Sequence, residues 1–258
     1  MSSYTMETWV YFNDVDLENR LTMKGALRLM QEASNCHSDQ VGYGLNQIPQ
    51  TGYSWVLHQQ RCHMYQRPGW GTKLTVRTWS RGAEGLMCLR DFEMRDEQDQ
   101  LVAVATTAWL LVDAKTQRML RVPEGMMEEY GTVEEQVFAE PLKRLKVPAD
   151  APKTWEYTIL RRDMDINRHV NNLCYVDFAM ESLPPQVEAA DFNDMTVMYK
   201  RAAFLGDTIT CYGGWQTSDG QMLSEKTGAE DEKATTYVAA IKDAEGSHLH
   251  AVVYLEQK

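Results

Sequence analysis

Asp14-Val-Asp-Leu-Glu-Asn-Arg-Leu21 stands directly before a stretch with helical periodicity, and Asp163-Met-Asp-Ile-Asn-Arg-His-Val170 stands before another. The two octapeptides align position by position. A second pair follows in the same order: Gly71-Thr-Lys-Leu-Thr75 and Gly206-Asp-Thr-Ile-Thr210, each opening a strand after a turn that contains arginine. Two matches in order predict a duplicated unit. The copies part at two positions. Glu18 and Arg20 in the first take the places of Asn167 and His169 in the second, so the second copy has the groups better suited to chemistry.

The elements around these stretches repeat as well. From Leu21 to about Gly44 the apolar residues Leu21, Leu27, Met30, Ala33 and Val41 recur at helical steps, with Lys24, Arg28 and Gln31 left for solvent. Thr22 suits the N-cap, and Gly42 and Gly44 supply the stop. The period then changes to two, which predicts strands over 55–67, 74–79, 86–94 and 101–112. In the second half a strand over 155–160 precedes a helix over 171–183, ended by Pro184-Pro185. Further strands are predicted over 195–199, 208–215, 235–241 and 248–255. Between the halves, residues 123–152 carry four of the eight prolines and mixed charged clusters, as a surface connection would. The expected organisation is therefore a first unit over 1–123, a linker over 124–152 and a second unit over 153–258.

Composition narrows the class. The 258 residues are 43% hydrophobic and 24% charged, within the globular range. A formal charge of −11 argues against an unspecialised nucleic-acid binder, which needs a basic surface. No run approaches the ~18 apolar residues of a membrane span. MSSYTMETWVYF has neither the basic and apolar blocks of a secretory signal nor room for a transit peptide. Cys36, Cys62, Cys88, Cys174 and Cys211 are odd in number and contain no C-x-x-C, which favours free thiols. The expectation is a cytoplasmic protein without nucleic-acid or membrane partners.

The densest chemistry is Asp165, Asn167 and His169. In an extended loop their two-residue spacing would turn all three to one side. A carboxylate, an amide and an imidazole together could activate water, hold a carbonyl and move a proton. A helix beginning near Asn171 would add free N–H groups for an oxyanion. The same residues also suit a loop whose Asp and Asn only cap the helix. Asp163-x-Asp165-x-Asn167 imitates a calcium loop, but Arg168 and Cys174 occupy the places of its glycine and acidic ligand, so no metal is expected. Nucleophile-elbow, phosphate-loop, dinucleotide and zinc-protease motifs are missing, and no cofactor is expected. Cys36-His37 and Cys62-His63 read as core or surface pairs, and His248 and His250 need no function. Arg161, Arg162, Arg168, Lys200 and Arg201 flank the cluster and would suit an anionic partner.

The stretch Asp163-Met-Asp-Ile-Asn-Arg-His-Val-Asn-Asn172, followed by Tyr175 and Glu181-Ser182, resembles the D-x-D-x-N-x-H-V-N-N signature of the acyl-acyl-carrier-protein thioesterases. Leu29-Met-Gln-Glu-Ala33 with His37, Arg67-Pro-Gly-Trp-Gly71, Arg90-Asp-Phe-Glu93 and Ala108-Trp109 are similar to further family landmarks. The resemblance runs through nearly the whole chain. It implies an α+β double hot-dog fold, two tandem units of a long helix wrapped by an antiparallel sheet. The first unit would hold the acyl chain and the second would be catalytic. It further implies hydrolysis of the thioester between a fatty acyl chain and acyl carrier protein, releasing free fatty acid and ending chain elongation. The family's catalytic Asp, Asn and His fall on Asp165, Asn167 and His169. Its proposed catalytic Glu, and the Cys of plant members, have no counterpart: Tyr199-Lys200-Arg201 is followed by Ala202 and Ala203. The acidic carrier protein would dock on Arg161, Arg162, Arg168, Lys200 and Arg201, with the enzyme a monomer or homodimer. Rival readings are an acyl-coenzyme A thioesterase and a non-catalytic module that binds acyl chains or carrier protein.

Overall fold

Thr22 caps the long helix as its sequence predicts, its hydroxyl accepting from the Gly25 N–H at 2.9 Å. This helix, α1 (Met23–Gln40), buries Ala26, Leu27, Met30 and Ala33 on one face and ends before Gly42, whose φ of +87° is the left-handed conformation that stops helices. The computed structural model describes residues 2–148, 150–217, 220–223 and 234–257. They form two compact units, Met1–Leu142 and Lys143–Lys258.

In the first unit, β1 (Tyr4–Trp9) precedes α1. A short helix α2 (Ile48–Thr51) leads to β2 (Tyr53–Met64), β3 (Lys73–Glu84), β4 (Met87–Asp96) and β5 (Leu101–Asp113). The strands pair antiparallel in the order β1-β3-β4-β5-β2, and α1 packs against β1 and β3. Leu74, Val76, Phe92 and Met94 are buried, as the two-residue alternation requires, and Trp79, outside that alternation, is buried as well.

The expected linker over 124–152 is corrected at its start. Helix α3 (Met126–Tyr130) buries Met126 and Tyr130 against Leu111, with Tyr43, Tyr53 and Trp55 packed around them. Beyond it, Val133 N–H donates to Ser80 C=O (2.9 Å), Trp79 Nε1 to Glu135 C=O (3.0 Å) and Val137 N–H to Asp91 Oδ2 (3.1 Å). Residues 124–142 thus belong to the first unit. Prolines and charges dominate this segment's composition and hide its two buried anchors.

The first unit also encloses a charge. Arg90 Nη1 donates to His37 Nδ1 (2.9 Å) and to Thr78 Oγ1 (3.1 Å), and its guanidinium lies 5.5 Å from the centre of the Tyr130 ring. Burial draws Arg90 down to about 10, so it stays charged at neutral pH. Burial, with Arg90 adding to it, draws His37 down from 6.5 to about 4. The folded state therefore holds His37 neutral while the unfolded chain takes up a proton below about pH 6.5. Stability contributed by the neutral ring is full above that pH and is lost as pH falls towards 4, up to roughly 3 kcal/mol in all. Urea midpoints at pH 7 and pH 4.5 should fall further for the wild type than for His37→Gln, which keeps an acceptor for Arg90 but does not titrate.

The second unit repeats the plan: β6 (Lys153–Thr158), α4 (Cys174–Met180), β7 (Phe192–Tyr199), β8 (Thr208–Gln216), β9 (Met222–Leu223), β10 (Thr236–Asp243) and β11 (Leu249–Gln257). Its antiparallel order, β6-β8-β10-β11-β7, matches that of the first unit strand for strand, with β9 added beside β8. The helix differs from expectation. Instead of spanning 171–183, α4 has 7 residues. Cys174, Tyr175 and Val176 donate back to Asn171, Asn172 and Leu173, tight three-residue steps that delay the regular helix. Ser182 Oγ donates to Ala179 C=O (2.7 Å) just before the proline pair, and this closes the other end.

Close packing at the start of α1 depends on glycine. A Cβ on Gly25 would stand 2.7 Å from Asp14 O and 2.8 Å from Asp14 Cβ. Neither atom can yield without moving the turn. Gly25→Ala is expected to cost about 1–3 kcal/mol, read as a lower urea midpoint.

Candidate active site

The octapeptides that reveal the duplication form the same turn in each unit. In the first, Asp16 N–H donates to Arg20 C=O, Asn19 N–H to Asp16 C=O, Thr22 N–H to Asp14 C=O and Leu21 N–H to Pro68 C=O. In the second, Asp165 N–H donates to His169 C=O (2.9 Å) and Arg168 N–H to Asp165 C=O (3.1 Å). Asn171 N–H donates to Asp163 C=O (2.8 Å), and Val170 N–H to Ala203 C=O (2.9 Å). Asn19 and Arg168 hold matching positive φ values of 58° and 62°. One backbone scaffold carries two different sets of side chains.

At its base Asp14 and Asp163 are both buried. Asp14 takes a bidentate contact from Arg28, at 2.7 Å (Nε) and 2.5 Å (Nη2). Asp163 Oδ2 accepts instead from Leu160 N–H (2.7 Å) and Tyr157 Oη (2.9 Å). Asp163 is thus a structural anchor beneath the turn.

At the tip, Asp165 Oδ1 accepts from Asn167 N–H (2.8 Å), Asn167 Nδ2 reaches Asp165 Oδ2 at 3.5 Å, and His169 Nδ1 lies 3.8 Å from Asp165 Oδ1. The three groups gather, but by another route than strand alternation. The loop is closed, and an Asp-centred turn folds Asn167 and His169 back on the carboxylate. His169 Nδ1 is also 3.2 Å from Val170 C=O. A carbonyl only accepts, so Nδ1 carries the proton and Nε2 is left as the basic nitrogen. In the first unit Glu18 and Arg20 fill these places, and Arg20 Nε donates to Asp16 Oδ2 (2.8 Å) as a closed ion pair.

Of the N–H groups expected as oxyanion donors at the start of the second helix, three are already engaged. Asn171 N–H goes to Asp163 C=O, Leu173 N–H to Asn171 Oδ1 (2.9 Å) and Cys174 N–H to Asn171 C=O (2.9 Å). The turn itself consumes these groups.

Arg161, Arg162, Arg168, Lys200 and Arg201 are all exposed. Arg162 Nη2 donates to Tyr157 Oη (3.2 Å). Among the described residues, Arg161, Arg168, Lys200 and Arg201 have no carboxylate within ion-pair distance. In the first unit Arg20, Arg28 and Lys73 are each paired, with Asp16, Asp14 and Glu7. Ile166 (77% exposed), Phe204 and Leu205 stand among the second unit's cations, on loops joined by the Val170–Ala203 bond. Sequence reasoning missed these apolar residues, whose exposure has no periodic signature.

Ala202 occupies the position after Tyr199-Lys200-Arg201, and no carboxylate replaces the missing Glu there. Asp243, Ser247 and His248 resemble a hydrolytic triad but form a hairpin turn. Asp243 Oδ2 contacts both Ser247 Oγ (2.8 Å) and His248 Nδ1 (2.7 Å), and the same ring nitrogen faces the serine at 2.9 Å. None of the five cysteines forms a disulfide. Among the described residues, no three His, Cys, Asp or Glu side chains stand where they could hold one metal ion, and no helix is long and apolar enough to cross a membrane.

One helix-and-antiparallel-sheet unit occurring twice in tandem, with an Asp-Asn-His turn in the second copy only, is a double hot-dog architecture. Residues 1–130 match the acyl-ACP thioesterase N-terminal domain and residues 147–243 the acyl-ACP thioesterase C-terminal domain, and the chain belongs to this family. The oleoyl-acyl carrier protein thioesterase 2 of Arabidopsis thaliana is 24% identical over 249 residues, covering 88% of this chain and 66% of its own length. The dodecanoyl-[acyl-carrier-protein] hydrolase of Cinnamomum camphora is 25% identical over 246 residues, covering 86% and 64%. The chain thus spans just under two thirds of the length of these curated relatives. An acyl-ACP thioesterase structure from Bacteroides thetaiotaomicron has the same fold, with a TM-score of 0.83 at 19% identity over 99% of this chain and 98% of that one. The 12:0-ACP thioesterase of Umbellularia californica superposes with a TM-score of 0.80 at 19% identity, over 99% and 94%.

Proposed function

We propose that the chain hydrolyses the thioester between a fatty acyl chain and acyl carrier protein, releasing the free fatty acid and ending chain elongation. The observation that carries this reading is the Asp165–Asn167–His169 turn, present in the second copy and replaced by an ion pair in the first, in a chain of this family. His169 Nε2 takes a proton from water as the water oxygen attacks the thioester carbonyl carbon. Asp165 stabilises the imidazolium that forms. The carbon–sulfur bond then breaks, and the proton passes to the departing thiolate of the carrier's phosphopantetheine arm. Asn167 Nδ2 holds Asp165 only at 3.5 Å, a weak bond that the substrate carbonyl can displace. Asp165 Oδ1 keeps the Asn167 N–H at 2.8 Å when Nδ2 turns to the substrate, which blunts the carboxylate as a nucleophile and favours direct water attack over an acyl-aspartyl anhydride. In hydrolysis run in ¹⁸O-water, label entering Asp165 would establish the anhydride, hydrolysed at the Asp165 carbon.

In this reading the first unit takes the acyl chain and the second performs the chemistry. The carrier docks on Arg161, Arg162, Arg168, Lys200 and Arg201. Exposed cations on a chain of charge −11, four of the five with no carboxylate within ion-pair distance among the described residues, and Ile166, Phe204 and Leu205 exposed beside them, suit an acidic partner that also buries apolar side chains. Five cysteines outside any disulfide suit a cytoplasmic enzyme, which would act as a monomer or homodimer. The test is hydrolysis of carrier-protein thioesters of about eight to eighteen carbons beside the same chains on coenzyme A. Comparable rates on both carriers would favour the coenzyme A reading, and tight carrier binding without product release would make the chain a binding module.

A further inference from the structure

The Ala203 peptide is held from both sides. Its carbonyl accepts from Val170 N–H at 2.9 Å, and its own N–H donates to Tyr175 Oη at 3.2 Å. Ala203 is 0% exposed and Tyr175 2%, so neither group can turn to water instead. The first unit makes the same carbonyl contact without the phenol. There Pro68 stands in the place of Ala203 and accepts from Leu21 N–H at 3.0 Å. Proline has no N–H, and the aligned helix position is Ala26, which has no acceptor. Donor and acceptor are thus both present in one copy and both absent from the other. A side chain that only filled space would show no such pairing.

The linkage leads to the imidazole. Val170 follows His169 in the chain, and its carbonyl is the oxygen that faces His169 Nδ1 at 3.2 Å. A second buried phenol braces the same region: Tyr199 Oη donates to Asn172 C=O (3.2 Å), and the two tyrosine rings meet edge to face at 5.7 Å. Burial raises both tyrosines well above their ordinary range, so Tyr175 presents a neutral hydroxyl oxygen.

We propose that Tyr175 is a positioning residue for the second copy: by accepting from Ala203 it fixes Val170, and through Val170 the His169 ring in its Nδ1–H form beside Asp165. The proposal rests on the hydrolytic reading above, but its first readout does not require activity. In ¹⁵N spectra of the full-length protein, wild-type His169 should show one tautomer, with the proton on Nδ1. Tyr175→Phe keeps the ring and removes only the acceptor. It should shift His169 towards the Nε2–H form that free imidazole prefers and lower kcat about 10- to 100-fold with KM within twofold. Adding Ala203→Pro copies the first unit, removes the orphaned donor and should return the wild-type tautomer. This double variant also serves where Tyr175→Phe does not fold. Wild-type His169 signals in folded Tyr175→Phe would overturn the proposal whatever the rate, as would a folded double variant that keeps the mixed tautomer. A wild type that hydrolyses no thioester yet shows these spectral changes would remove the hydrolytic reading and leave the positioning role standing.

Discussion

His169→Ala is expected to lower kcat on fatty acyl-carrier-protein thioesters by about 10²- to 10⁴-fold, the range a positioned general base contributes. KM should stay within a few-fold, because in the proposed mechanism the imidazole acts on water and not on the acyl chain or the carrier. Folding should be unaffected: His169 is only half-buried at the tip of its turn, and the turn's backbone bonds run through Asp165, Arg168 and Asn171. A variant that kept near-wild-type kcat would remove the assignment of the whole Asp165–Asn167–His169 group. Because Nε2 is the free nitrogen, His169→Gln should not rescue: its amide donates and accepts hydrogen bonds but takes up no proton.

Reversing charge at Arg168, Lys200 and Arg201 together to glutamate is the second large effect. It is expected to raise KM for carrier-protein thioesters on the order of 10- to 100-fold, since steering by unpaired cations acts on encounter with an acidic partner. The wild-type KM should rise with ionic strength while that of the variant should not, because salt weakens the attraction in the first and the repulsion between glutamates and the acidic carrier in the second. Hydrolysis of a neutral short acyl thioester should continue at the wild-type rate. If KM for the carrier substrate were unchanged, the carrier would dock elsewhere and the cations would be a solvated surface. Stability should not suffer, since none of the three has a carboxylate partner to lose among the described residues.

Features set by local periodicity and capping were legible before any tertiary contact was known. The strands expected over 74–79, 101–112 and 208–215 are found within Lys73–Glu84, Leu101–Asp113 and Thr208–Gln216, and α1 follows from its apolar stripe, Thr22 and Gly42. The duplication was legible because the two turns must make the same backbone bonds, and this preserves Asp14 with Asp163 and Asp16 with Asp165. Less legible was the second helix, where an apolar stripe over 171–183 conceals three tight steps at its start. Segment 124–142 was misread for a related reason. Met126 and Tyr130 declare themselves only against Leu111 and Trp55, which are distant in sequence.

The sequence by itself determined a twofold helix-and-sheet plan and a second copy equipped with Asp165, Asn167 and His169, because residue type and short-range spacing are sufficient for both. Tertiary structure decided how those groups are arranged. Closure of the turn, and not strand alternation, gathers them. At the helix start Asp163 and Asn171 take up the N–H groups of Asn171, Leu173 and Cys174. The free nitrogen of His169 is set by a carbonyl, and that carbonyl's position by a peptide and a phenol 28 positions apart. Such pairings depend on which buried donor meets which acceptor across the fold, and no local pattern records that.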